Sequence, residues 1–130
     1  MSRLEVGVAL TRRLDATGAS VDLLQVTARN FEAPITLSGC AVLLPLGLRI
    51  YSDPPELEYP FILDTGAQCS DVFDCRAVAA QARDFGYPGR VRLEAMFVAS
   101  PGLVVSSLIA PAAAGEHRSG SFTFEVDRWP

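Results

Sequence analysis

The sequence predicts an all-β domain with one short helix, and three observations carry that prediction. Proline and glycine punctuate the chain at short intervals. The stretches between them are brief and rich in Val, Leu, Ile and Phe, which suit a pleated, half-buried surface. Between Arg90 and Phe97, moreover, polar and apolar side chains alternate with the period of a strand. Residues 1–130 read as a single domain, because 130 residues suffice for one core and no linker, repeat or low-complexity run divides them.

In chain order, the apolar runs predict strands over residues 4–10, 20–26, 33–37, 41–51 and 59–63. A helix is expected over 71–85, where alanines cluster with Arg, Gln and Val and neither glycine nor proline intervenes. The next strand, 90–98, has the clearest register: Arg90, Arg92, Glu94 and Met96 form a polar-leaning face, and Val91, Leu93, Ala95 and Phe97 a buried one. Strands over 103–109 and 121–126 complete the set, and the small, polar stretch 111–120 reads as a flexible loop.

Composition excludes several functions. The formal charge is −4, and all eleven basic residues are arginine, so no basic field invites nucleic acid or an anionic membrane. No apolar run approaches the roughly 18 residues of a membrane span, and the polar start MSRLEVGVALTRR lacks a signal-peptide core, so an intracellular, soluble protein is expected. Three cysteines without a CxxC pair and one histidine support neither zinc, haem nor a disulfide framework, and no cofactor is expected. Cys40 reads as a small buried apolar residue, and Cys69 and Cys75 flank the helix start with no nearby histidine or lysine to lower a thiol pKa. His117 and Arg118 read as solvated loop residues.

One local string, Phe61-Ile62-Leu63-Asp64-Thr65-Gly66-Ala67-Gln68-Cys69-Ser70, resembles the active-site loop of retropepsin-type aspartic proteases. That resemblance implies a dimer in which Asp64 from each chain shares a proton with its twin and activates water. It covers about ten residues, and the glycine-rich flap and later apolar-apolar-Gly segment of the family have no counterpart. Asp-Thr-Gly after an apolar strand end is also ordinary turn chemistry.

A second set of segments spans most of the chain: Ala19-Ser20-Val21-Asp22-Leu23, Gly47-Leu48-Arg49-Ile50, Asp64-Thr65-Gly66, and Asp84-Phe85-Gly86-Tyr87-Pro88-Gly89-Arg90-Val91. In order and spacing these resemble the motifs of the homotrimeric dUTPase family. The resemblance implies a β-clip, a distorted jelly-roll barrel, and a homotrimer. It places Asp22 beside a hydrated Mg²⁺, Asp84 against the attacking water, and Tyr87 under the deoxyribose, with Thr65 and Gly66 in the phosphate loop.

The departures matter more. Asp64 stands where the family has an arginine against the phosphates, and like charges close together cost several kcal/mol, about a thousandfold in affinity. The segment Gly115 to Gly120 lacks the family's glutamine, and after Val126 the closing arginine- and glycine-rich arm has no counterpart. A chain of dUTPase order with eroded motifs resembles the dUTPase-derived proteins of the adenoviral early region, which bind host signalling and scaffold proteins. That implies a viral, catalytically inactive interaction module of the host cytoplasm or nucleus. An active Mg²⁺-dependent dUTP diphosphatase and a retropepsin-like protease stay open as alternatives. The terminal Pro130 suits a PDZ-docking carboxylate badly, and Trp129 is expected to pack against a neighbouring subunit.

Overall fold

The computed structural model describes residues 4–99 and 115–130. They form β1 (Leu4–Leu14), β2 (Ser20–Asn30), β3 (Ile35–Leu43), β4 (Arg49–Tyr51), β5 (Phe61–Leu63), β6 (Gln68–Asp74), α1 (Cys75–Asp84), β7 (Arg90–Ala99), β8 (Gly115–Arg118) and β9 (Phe122–Glu125). The all-β expectation holds at this level, with α1 as the one α-helix among the described residues.

One sheet has the order β1-β2-β6, antiparallel throughout. Its register lines up Leu10, Leu24 and Phe73, then Val8, Val26 and Asp71, then Val6, Ala28 and Cys69. Successive residues of a strand face opposite ways, so these rows share the face turned to the core. In the second sheet β3 and β7 form the middle, β4 and β5 both pair with β3, and β8 and β9 both pair with β7. Leu37, Cys40, Val42, Leu93, Ala95 and Phe97 fill its inner face and are all buried. The two inner faces close on each other, which removes apolar surface from water and is the main driving term of such a sandwich.

The helix caps this core. Asp74 accepts the Arg76 N–H at 2.9 Å as N-cap, and Cys75, Val78, Ala79 and Ala82 present one buried stripe at helical spacing. Gly86 ends it at φ +88°, where only glycine escapes a Cβ clash.

Four local expectations are corrected. The helix starts at Cys75, because residues 68–74 pair with β2 as β6. The expected strand 41–51 breaks at Leu44–Leu48, since Pro45 starts a 3-10 turn and the chain reverses into β4. Residues 115–118 of the expected loop form β8, in which His117 lies opposite Phe97 and is buried. Met96, expected on the polar face, is fully buried too. The expected strand 103–109 and the rest of that loop's start lie outside the described residues. No helix among the described residues is long and apolar enough to cross a membrane.

Candidate functional site

The residues singled out by sequence fall at two ends of β2. At one end, Asp64, Thr65 and Gly66 make an exposed turn between β5 and β6. The Ala67 N–H donates to the Asp64 carbonyl at 3.0 Å and the Gly66 N–H to the Asn30 carbonyl at 2.8 Å. Gly66 takes φ +80°, the conformation for which a glycine is favoured. Buried Asn30 ties the turn down, its amide donating to the Leu63 and Ala33 carbonyls at 2.9 and 3.0 Å.

Asp22 lies at the other end of β2, about 26 Å along the strand at ~3.3 Å per residue. Its carboxylate accepts the Trp129 indole N–H at 2.9 Å on one oxygen and the Arg12 guanidinium at 3.0 Å on the other. These two donors, Trp129 first, hold it below the usual carboxylate range. Trp129 is 8% exposed, stacks on Phe124 with ring centroids 4.8 Å apart, and carries the Arg128 guanidinium over its ring. Within its own chain Trp129 thus packs on Phe124 and bonds Asp22.

Asp84, the exposed last residue of α1, and half-buried Tyr87 share the Asp22 end. Their neighbour Arg83 donates to the Val126 and Trp129 carbonyls at 3.2 and 3.0 Å, and the Tyr87 hydroxyl donates to the Pro45 carbonyl. One chain therefore brings Asp22 and Asp84–Tyr87 to one end and leaves Asp64, Thr65 and Gly66 at the other. The surroundings of Asp22 do not suit Mg²⁺: both oxygens are engaged, and one of the donors is a cation that repels another.

The structure adds two features that sequence reasoning missed. The first is Asp71, wholly buried opposite Val26. It accepts four hydrogen bonds, from the Ser52 and Tyr59 hydroxyls at 3.0 and 2.8 Å and from the Glu56 and Val72 N–H groups at 3.0 and 2.9 Å. Four donors replace the water a buried carboxylate loses, and they pin residues 52–59 to the sandwich. Burial and the hydrogen bond to Asp71 push the Tyr59 phenol well above its ordinary value. The cysteines behave alike: burial pushes Cys69 up to about 11 and Cys75 up to about 12, which keeps them thiols at neutral pH.

The second is a cleft of about 430 Å³ between β1 on one side and β9 with the C-terminal turn on the other. Val8, Leu10, Leu24, Phe124 and Trp129 give it apolar walls. Arg90 and Arg128 stand among its lining residues, Arg90 paired with Glu125 at 3.5 Å. Compared with family models, curated proteins and solved structures, the chain finds no match in any of the three.

Proposed function

We propose that this chain is a protein-interaction module on a dUTPase-like all-β frame and that it does not hydrolyse dUTP. One observation carries the reading: Asp22, the carboxylate that a dUTPase would turn toward the metal, is closed by Trp129 and Arg12 of its own chain. Two further placements support it. Asp64 puts an exposed carboxylate in the turn that the dUTPase resemblance assigns to phosphate, and the Tyr87 hydroxyl is held by a backbone carbonyl. What the molecule offers instead is an aromatic cleft with arginines beside it, a composition that favours recognition of other proteins.

The test is pyrophosphate release from dUTP with Mg²⁺, run beside Asp84→Asn. Equal, background-level release from both proteins is expected. Turnover by the unaltered chain that Asp84→Asn abolishes would overturn the proposal and restore the hydrolase.

A further inference from the structure

We infer that the cleft between β1 and β9 takes an extended, acidic segment of another protein, added as a strand along the edge of β1 that pairs with no strand among the described residues. The inference rests on the binding-module reading and names the chemistry of its partner.

The first ground is backbone. β1 is the outermost strand of its sheet, and β9 pairs only with β7 among the described residues. The cleft therefore lies between two strand edges that belong to different sheets. A strand edge carries N–H and C=O groups ready to template another chain, and an incoming strand lies about 4.8 Å from its neighbour. Residues Val8–Leu14 offer room for about six residues of partner, a typical strand length.

The second ground is the side chains of β1. Along its core-facing side Leu4, Val6 and Val8 are partly buried. Leu10 continues the same side into the cleft at 47% exposure, and Arg12, turned to Asp22, ends the apolar run there. An apolar stripe that runs past the end of its own core, beside Phe122, Phe124 and Trp129, gains from a cover.

The third ground is charge. The molecule as a whole carries −4, yet the cleft holds two arginines against the single carboxylate Glu125. Arg90 is paired with Glu125, whereas Arg128 makes no ion pair among the described residues and lies 5.1 Å from the centre of the Trp129 ring. A guanidinium steadied on an aromatic face keeps its N–H donors for a carboxylate, and Arg is the residue best shaped to receive one. Apolar walls, a strand edge with no neighbour among the described residues and a guanidinium without an ion pair there together select alternating apolar and acidic residues in extended form.

The chain carries a reporter for the test, since Trp129 is its only tryptophan and lines the cleft. The full chain is titrated with an acetylated peptide of about nine residues alternating Val and Asp, and with a Val–Lys counterpart of the same length. Trp129 emission and hydrogen exchange of the β1 amides are followed. The Val–Asp peptide is expected to shift the emission, to protect amides within 8–14, and to bind at least about tenfold tighter than Val–Lys. Arg128→Glu, on an exposed side chain, should reverse that preference, and Leu10→Asp should weaken both peptides.

Equal binding of the two peptides, protection confined to other strands, or an unchanged preference in Arg128→Glu would overturn the inference. So would a concentration-dependent doubling of mass abolished by Leu10→Asp, which would make a second copy the occupant. The two readings fail separately: dUTP turnover sinks the module, whereas a silent dUTP assay with a failed titration sinks only this partner.

Discussion

Trp129→Ala tests how the end of the chain is held. In the structure the Trp129 ring lies against Phe124 and under the Arg128 guanidinium, its indole N–H is on Asp22, and its backbone carbonyl is on Arg83. Alanine keeps only the last. An aromatic side chain of this size buries about 150–250 Å², and at ~25 cal/mol per Å² that is worth about 4–6 kcal/mol. A chain end relaxes more readily than a mid-strand position, so a loss of about 3–4 kcal/mol is expected. Urea unfolding followed by circular dichroism measures it, because the substitution removes the only tryptophan and with it the fluorescence signal.

Two further outcomes sharpen the test. The loss should not change with protein concentration, since the contacts are within one chain. Asp22→Asn should cost less in the Trp129→Ala background than in the unaltered chain, because the two side chains share a hydrogen bond. A change below about 0.5 kcal/mol, the range of unremarkable surface positions, would refute the docked C-terminus and with it the closure of Asp22. A loss that grows on dilution would move the indole's partner to another subunit.

Asp71→Ala should cost about 3 kcal/mol or more, read from the same unfolding curves, because it strands two backbone N–H groups and two hydroxyls in the interior. Asp71→Asn keeps one acceptor oxygen and should cost less. For His117, burial lowers the folded-state value below the ordinary 6.5, so the unfolded chain binds more protons between the two values. Stability should therefore be full above about pH 6.5 and fall on acidification from there. His117→Gln should flatten that slope in unfolding midpoints measured between about pH 7.5 and 5.5. Leu46 is 95% exposed and sits at φ +70°, so Leu46→Asn should raise stability by about 0.5–1 kcal/mol, with no packing lost.

The parts of the fold legible in the sequence are those decided by near neighbours. The alternation of Val91, Leu93, Ala95 and Phe97 sets the inner face of β7 whatever lies beside it. The helix is likewise local, a run of alanines with a capping Asp74. Its start was not legible, because Asp71 and Phe73 take strand conformation through pairing with Val26 and Leu24, distant in sequence. His117 illustrates the same limit: Gly-Glu-His-Arg is polar enough for a loop, and only its place opposite Phe97 buries the imidazole.

The site was less legible than the fold, for a related reason. The order of motifs along a chain carries no distances, and β2 alone places Asn30, beside the Asp64 turn, at the far end of a strand from Asp22. Nor does any local pattern connect Trp129 with Asp22, which are 107 positions apart. The proposed function rests on that hydrogen bond together with the Arg12 contact. A ligand that takes the Asp22 oxygen now bound by the indole has to displace Trp129, and that loosens the C-terminal turn that walls the cleft. On the proposed reading, a partner that packs on Trp129 favours the state in which the indole holds Asp22. The charge of the occupant has a measurable sign: an acidic peptide in the cleft should raise the pH at which the Asp22 carboxyl takes up a proton, as followed by carboxyl NMR shifts, because it adds negative charge beside Asp22 and occupies the Arg128 guanidinium that helps hold Asp22 low. An unchanged or lowered value would place the bound peptide away from Arg128.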